Sequence, residues 1–201
     1  MNTALTKGNL LSAENTLKLS QSGYELLDKK RNILIKECTK LSEKALSIQG
    51  EINSTFLAAY SALRTAYLET GIELIEKTSV CINEENSLSV KSRSIMGVEI
   101  PSVFMEETDA FPVYGFQNSS SSLDEAILNF TELKKLTKQL AEIENSVFVL
   151  SENIKKTQKR TNALKNIIIP KYEEEIKIIS AALEEKEREE YSRLKVIKNI
   201  L

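Results

Sequence analysis

Carboxylates are the side chains of this sequence that could most readily do chemistry. They are grouped at Glu173–Glu175 and from Glu184 to Glu190. Carboxylates on helices can hold two iron ions, but such di-iron sites need Glu-x-x-His pairs, and the chain contains no histidine. The clusters could bind a cation weakly, although a solvated helix face is the commoner use of such a pattern. The sequence therefore predicts no metal site and no cofactor.

The absence of histidine also removes most catalytic arrangements. The chain cannot form a Ser-His-Asp triad or a zinc site with histidine ligands. It contains neither the G-x-x-x-x-G-K-S/T phosphate loop nor the G-x-G-x-x-G turn, which nucleotide-binding proteins use. We therefore predict that the chain is not itself an enzyme. An enzyme of unrecognised type is an alternative that nucleotide titration would test.

Charge and cysteine spacing narrow the classes of partner. The formal net charge of -2 gives no overall attraction to nucleic-acid phosphates. Cys38 and Cys81 lie in no redox or metal-binding spacing, and a small buried thiol is the simpler role for Cys38. No apolar run reaches the roughly 18 residues of a membrane span. The sequence predicts a cytoplasmic protein that binds no nucleic acid and does not insert directly into a membrane.

Long helices must position these side chains. From about Leu10 to Glu76 there is no proline, and apolar or small residues recur at alternating spacings of three and four, which predicts a coiled-coil helix. Gly23 and Gly50 each cost about 1 kcal/mol relative to alanine, so this helix needs a partner helix. The predicted seam contains Leu17, Tyr24, Leu27, Leu34, Cys38, Leu41, Ala45, Ile48, Ile52, Ala59 and Ala66, and is interrupted by Ser20, Arg31 and Thr55.

The helical pattern breaks between about Thr78 and Ser122. Residues 87–92 alternate with period two and Met96 to Pro101 can supply a second strand, so a small β-hairpin is predicted. The residues from Glu106 to Ser121 are predicted to form an irregular loop. Because an isolated two-stranded hairpin is marginally stable in water, this hairpin needs a neighbour to pack against.

A second long helix is predicted to follow, with Ser122 as its N-cap and Glu125 at the capping-box spacing. Pro170 removes one backbone donor and clashes with the carbonyl of Asn166, so a kink is expected there and not an end. The predicted buried stripe contains Leu123, Ile127, Phe130, Leu133, Leu140, Val147, Leu150, Ile154, Leu164, Ile168, Ile176, Ile179, Leu183, Leu194 and Ile197.

Two helices of about 100 Å each must pair with each other, and an insert between them favours an antiparallel arrangement. The predicted fold is therefore all-α, a long antiparallel two-helix coiled coil formed by the N- and C-terminal helices, with a small β-hairpin and loop insert in the middle. The predicted segments are 1–78 for the first helix, 79–122 for the insert and 123–201 for the second helix.

Several stretches resemble one known family. Residues 23–34 read Gly-Tyr-Glu-Leu-Leu-Asp-Lys-Lys-Arg-Asn-Ile-Leu, and residues 159–170 read Lys-Arg-Thr-Asn-Ala-Leu-Lys-Asn-Ile-Ile-Ile-Pro. Residues 187–198 read Glu-Arg-Glu-Glu-Tyr-Ser-Arg-Leu-Lys-Val-Ile-Lys. Together with Ser94–Val98 and Pro101 in the insert, they resemble the D-subunit family of V/A-type ATPases. Thr161 and Lys165 depart from the family's usual aliphatic and acidic residues.

The resemblance implies a central rotor stalk, an axle that transmits torque between the catalytic A-B hexamer and the membrane ring that translocates ions. Its implied partners are the F subunit through the middle region, the A and B subunits through the paired terminal helices, and the adaptor protein on the membrane ring. It would lie peripheral to the membrane through this complex. The candidate partner-contact residues are Lys155, Lys156, Lys159, Arg160, Pro170, Arg188 and Arg193.

The alternative function is a structural or adaptor coiled coil unrelated to ATPases, for example a membrane-remodelling scaffold. Such scaffolds carry a basic amphipathic helix that lies on lipid, whereas Met1 to Leu19 is only weakly basic and lacks aromatic residues. Liposome co-sedimentation of the lone chain would discriminate, because an axle should stay in the supernatant.

Overall fold

The computed structural model describes residues 4–81, 88–104, 115 and 119–200. In chain order the elements are helix α1 (Lys7–Thr70), helix α2 (Ile72–Cys81), strand β1 (Ser89–Ile95), strand β2 (Val98–Phe104), helix α3 (Ser121–Ala163), a π-helical turn (Leu164–Ile168) and helix α4 (Ile169–Ile200). This architecture confirms the predicted fold class, with a long N-terminal helix, a long C-terminal helix and a small two-stranded sheet between them.

The residues group into two compact units, each built from parts of both helical regions. The first unit comprises Met1–Ile33 and Ile154–Leu201. Within it, Lys7 Nζ lies 2.8 Å from Glu187 Oε1, and Arg31 Nη1 donates to Gln158 Oε1 at 2.9 Å. Residue numbers thus rise along α1 while they fall along the helix that it contacts, so the pairing is antiparallel.

The predicted apolar stripe is buried over only part of this unit. Ile179 is 1% exposed, as the stripe predicts, but Leu194 and Ile197 are 64% and 54% exposed. For these two residues the prediction was wrong. Lys7, the first residue of α1, already lies opposite Glu187, so α1 does not extend along the last turns of α4 and leaves them uncovered.

Pro170 lies in the first turn of α4, and the chain remains helical through it, which confirms that the helix does not end there; the expected kink stays a prediction. The preceding turn is π-helical, and the Ile169 N–H donates to the carbonyl of Leu164 five residues earlier. An α-helical turn would press the proline ring against the carbonyl four residues before it. The wider π turn holds an additional residue, and this local change accommodates the proline.

The second unit, Leu34–Asn153, also contains an antiparallel helix pair. Ser122 Oγ donates to Glu69 Oε2 at 2.8 Å, and the rings of Tyr60 and Phe130 meet at 5.5 Å between centroids. Its core contains Ala66, Ile75 and Leu123, with Leu63 and Ile127 packed against them. Alanines on the predicted seam let the helices approach closely, since Ala59 and Ala66 are fully buried.

Gly71 divides the N-terminal helix that the periodicity predicted to be continuous. Its φ of 79° is strained for residues with a Cβ, and its N–H donates to the carbonyl of Tyr67, as in a left-handed helix C-cap. Helix α2 then carries Ile75 into the core. The spacing of apolar residues did not reveal this break because it continues on both sides of the glycine.

The start of α3 differs from the predicted cap. The helix begins at Ser121, and the backbone N–H groups of Leu123 and Asp124 donate to the carbonyl of Ser120. Ser122 is therefore inside the first turn, and its hydroxyl donates to Glu69 instead of capping the helix. The predicted N-cap was wrong by a shift of two residues, because Ser119 to Ser122 are four consecutive serines and serine is a good N-cap at any of these positions.

The predicted hairpin is confirmed. Strands β1 and β2 are antiparallel with Ile95 opposite Val98, and the turn residues Met96 and Gly97 both have positive φ, the conformation of a type I′ hairpin turn. Ser87, the first residue of the predicted strand pattern, lies outside the described residues. So does most of the predicted loop from Glu106, while Ser121 belongs to α3.

Helix α3 supplies the neighbour that the hairpin needs. Glu142 accepts from the Ser102 hydroxyl at 3.0 Å and from the Val103 backbone N–H at 3.2 Å. Val98 and Ile100 on β2 are 4% and 1% exposed. Apolar burial and a charge-assisted hydrogen-bond pair therefore hold one strand of the hairpin against the helix.

Candidate functional site

The basic band, defined as Lys155, Lys156, Lys159 and Arg160, lies on the exposed face of α3 in the first unit. The opposite face of the same turns is buried: Thr157 is 7% exposed and Thr161 is 2% exposed. Spacings of four residues stack Lys155 on Lys159 and Lys156 on Arg160. The structure thus gathers these four predicted contact residues into one outward-facing surface.

Threonines on the buried face are compatible with close packing because part of their hydrogen-bonding need is met locally. The Thr161 hydroxyl donates to the backbone carbonyl of Thr157 at 2.9 Å, a bond that hydroxyl side chains commonly make within helices. The sequence identified Thr161 only as a departure from an aliphatic residue. Its 2% exposure shows that this threonine nevertheless lies on the packed face of the helix.

A polar network beside this buried face was not predicted. Arg31 donates to Gln158 at 2.9 Å and lies 2.7 Å from Asp28 Oδ1, while Gln158 donates to Asn162 at 2.8 Å and Asn32 donates to Asp28 at 3.2 Å. Arg31 Nε is buried without a hydrogen-bond partner among the described residues. The sequence showed Arg31 only as an interruption of the seam, yet it joins the two helices directly behind the basic band.

Pro170, also a predicted contact residue, is exposed at the start of α4. It follows the π-helical turn Leu164–Ile168. Single π turns within α-helices occur frequently at functional sites. The local backbone therefore differs from a regular helix in the turn just before Pro170.

The C-terminal segment, residues 184–198, is exposed at every position. Its two predicted contact residues pair with acids on the same helix: Arg188 lies 3.6 Å from Glu185 and 4.0 Å from Glu184, and Arg193 lies 3.5 Å from Glu189. Exposed pairs of this kind contribute little to stability, and both arginines keep most of their side chains exposed. The segment also exposes Tyr191, Leu194, Val196 and Ile197.

The ion pair between Lys7 and Glu187 ties α1 to the beginning of this segment. The hydrogen bond from Lys7 lowers the pKa of the Glu187 carboxyl, and the charge of Lys7 adds to that effect. The same contact raises the pKa of Lys7. Both side chains are exposed, so the pair is a local marker of register and not a major source of stability.

An exposed aromatic ridge in the second unit was also not predicted from the seam. It contains Phe56, Leu57, Tyr60, Tyr67 and Leu68 on α1, with exposed fractions from 39% to 81%. The Phe56 and Tyr60 rings lie 4.4 Å apart between centroids. Spacings of three, four, seven and eight residues from Tyr60 place the ridge on one side of the helix. Contiguous exposed apolar surface is commonly used for contacts between proteins.

The remaining features concern metal ligands, cysteines and apolar helices. In the part of the chain that the structure describes, no three His, Cys, Asp or Glu side chains form a group that could hold a metal ion. Cys38 is half-buried, Cys81 is exposed, and both are free thiols. No helix within the described ranges is long and apolar enough to cross a membrane.

Comparison with known proteins gives one consistent match. The family model of the ATP synthase D subunit matches residues 9–199. The chain is 41% identical over 198 residues to the D subunit of the V-type ATP synthase of Thermotoga neapolitana, covering 98% of each chain. It is 36% identical to the D subunit of the A-type ATP synthase of Methanopyrus kandleri, covering 98% of this chain and 85% of the relative. The corresponding protein of Pyrococcus furiosus is 37% identical, with 98% and 93% covered.

Proposed function

The chain belongs to the D-subunit family of ATP synthases, and on that premise we propose that it is the central stalk of a rotary V/A-type ATPase. It transmits torque between ATP hydrolysis or synthesis in the A-B hexamer and ion translocation by the membrane ring. The match to the family model across residues 9–199 is the observation that carries the proposal. The antiparallel pairing of N- and C-terminal helices within each unit supports it.

The A and B subunits are the proposed partners of the paired terminal helices. In the first unit the basic band is exposed, which suits contact with acidic loops of the hexamer. The C-terminal segment adds exposed apolar residues such as Tyr191 and Leu194, which suit the wall of a protein bore. Pro170 with its π turn contributes the asymmetry that an axle needs in order to distinguish three catalytic sites.

The F subunit is the proposed partner of the middle region, and the adaptor protein of the membrane ring completes the set. The aromatic ridge on α1 offers the apolar anchors that stable protein interfaces use, and its residues are exposed in the second unit. The chain itself is proposed to be non-catalytic and to lie on the cytoplasmic side, peripheral to the membrane through the complex.

Single-molecule rotation tests the torque proposal. A bead is attached through the exposed Cys81 of a Cys38→Ser variant, and the A-B hexamer is fixed to a surface. We expect addition of ATP to turn the bead in one direction with three pauses per revolution. A hexamer that hydrolyses ATP while a verified, attached bead stays still would overturn the proposal. A bead linked to the fixed hexamer is the control for free rotation of the linker.

A further inference from the structure

The two edges of the β-hairpin differ. On β2 two outward-facing backbone groups bond to α3: the Val103 N–H donates to Glu142 at 3.2 Å and the Pro101 carbonyl accepts from Ser146 at 3.5 Å. Strand β1 is exposed over six of its seven residues, and it pairs with β2 alone within the described residues. The β2 edge therefore contacts α3, whereas no described residue pairs with the β1 edge.

The register identifies which backbone groups face outward from β1. Val103 and Pro101 lie opposite Val90 and Ser92. Residues facing each other in an antiparallel pair either both bond across the ladder or both point away from it. Since Val103 bonds to α3, the outward set on β1 is Val90, Ser92 and Ser94. These three residues form a row of backbone donors and acceptors of the kind that accepts an added strand.

The β1 edge is regular along its whole length. The pairing from Ser89–Phe104 to Ile95–Val98 runs without a bulge, and β1 contains no proline. The type I′ turn at Met96–Gly97 and the buried Val98 and Ile100 fix the hairpin in place. Natural edge strands are commonly blunted by proline, bulges or charge, and here only charge is present.

The charged side chains of β1 determine which kind of strand can bind at this edge. Lys91 and Arg93 are both exposed, and no described carboxylate forms an ion pair with either; Lys91 Nζ lies 4.8 Å from the centroid of the Phe104 ring. Antiparallel pairing with a second copy about Ser92 would place Lys91 opposite Arg93 of that copy, and like charges directly opposite each other are unfavourable. A strand with acidic residues two positions apart would instead place carboxylates opposite both cations.

We propose that the β1 edge, residues 89–95, binds an extended acidic segment of a partner protein by strand addition. The backbone groups of Val90, Ser92 and Ser94 bond the added strand, and Lys91 and Arg93 select its carboxylates. Strand addition at β1 does not follow from the rotary function, and it does not require the chain to rotate.

Hydrogen exchange at single-amide resolution tests the proposal. It is measured on the isolated chain and on the assembly that co-purifies with a tagged full-length chain. We expect the amides of Val90, Ser92 and Ser94 to exchange at least about tenfold more slowly in the assembly. The amides of Lys91 and Arg93, which already bond β2, should change less. Unchanged exchange at the three outward amides would overturn the proposal.

A matched pair of variants separates strand addition from general covering of the surface. Ser92→Pro removes the central outward donor and no ladder bond, whereas Ser92→Thr keeps that donor. We expect only the proline variant to lose the protection at Val90 and Ser94, with the Ile100 amide still protected as proof that the hairpin persists. Equal protection in both variants contradicts strand addition.

A photo-crosslinking residue at position 90 identifies the occupant. A crosslinked segment rich in Asp and Glu supports the proposal, whereas a second copy of this chain or a segment without acidic residues overturns it. The ATPase assignment is read separately, from the identity of the co-purifying proteins. A protected edge in an assembly without ATPase subunits would reject the rotary proposal and leave this one standing.

Discussion

At the scale of single residues, Arg31 shows how a polar group can specify a helix pair. An apolar residue at this seam position would pack equally well in more than one register. Arg31 instead bonds Gln158 across the interface and Asp28 on its own helix. Half-buried polar groups of this kind are costly when misaligned, so the network favours one alignment over shifted ones.

Arg31→Met is expected to lower the free energy of unfolding by about 1 to 3 kcal/mol, because Gln158 and Asp28 lose a charged partner at a half-buried site. The double variant Arg31→Met with Gln158→Leu should recover most of that loss while permitting alternative registers. Urea unfolding measures the first effect, and crosslinking between engineered cysteines on the two helices measures the second. A double variant as unstable as the single one would contradict this role.

The basic band carries the prediction about coupling. Charge reversal in the Lys159→Glu, Arg160→Glu variant should lower ATP-driven ion pumping several-fold in the assembled complex, because a contact with acidic loops becomes repulsive. The isolated chain should stay folded, since both side chains are exposed.

The control for the basic band is charge reversal at Lys36 and Lys40, two exposed lysines on α1 in the second unit. Circular dichroism and thermal unfolding check the fold of both variants. Pumping that is unchanged in the Lys159 and Arg160 variant would remove the contact hypothesis.

The pair of Lys7 and Glu187 predicts a titration. Because Lys7 lowers the pKa of Glu187, the stabilising effect of that carboxylate is present at neutral pH and is lost as the pH falls through the lowered pKa. Because Glu187 raises the pKa of Lys7, the effect of the lysine is lost as the pH rises through the raised pKa. NMR titration should give a lower Glu187 pKa in the wild type than in Lys7→Met. High salt should reduce the difference, and identical titrations would contradict the contact.

At the scale of elements, the glycines inside α1 differ from the glycine at its end in how well they can be replaced by alanine. Gly23 and Gly50 lie inside α1, and an added Cβ would meet nothing within 4 Å at either position. Gly71 also has space around it, but its φ of 79° is one that residues with a Cβ rarely adopt. Space alone therefore does not decide which glycine can be replaced.

Gly23→Ala and Gly50→Ala should each raise the free energy of unfolding by about 0.5 to 1 kcal/mol, because alanine is the better helix former. Gly71→Ala should lower it by about 1 kcal/mol or more, because the left-handed conformation becomes strained. Thermal or urea unfolding of the three variants checks both signs. Stabilisation by Gly71→Ala would mean that α1 and α2 can merge without cost.

At the scale of the whole molecule, family membership predicts which proteins the chain binds. Tagged full-length chain purified from its own cells should bring A, B and F subunits with it. The purified lone chain should neither pellet with liposomes nor bind ATP. Recovery of unrelated cytoskeletal or membrane-scaffold proteins in place of ATPase subunits would instead support the adaptor alternative.

Local periodicity made much of the fold predictable from sequence. Spacings of three and four predicted the two long helical regions, the alternation around Met96 and Gly97 predicted the hairpin, and the motif from Lys159 to Pro170 pointed to the family. These features depend on residues that are close together in the sequence. Their structural preferences can be recognised without knowing which segment they pack against. The boundaries 1–78, 79–122 and 123–201 and the roles of the contact residues remain predictions.

Tertiary structure alone decided which part of each stripe is covered. Arg31 and Gln158 are 127 positions apart, and no local pattern specifies that they meet. The same register places Lys7 opposite Glu187 and leaves Leu194 and Ile197 exposed. The residue types and their period can be recognised within a short stretch of sequence. Burial depends on where the partner helix begins and ends, and only the packed pair of helices determines that.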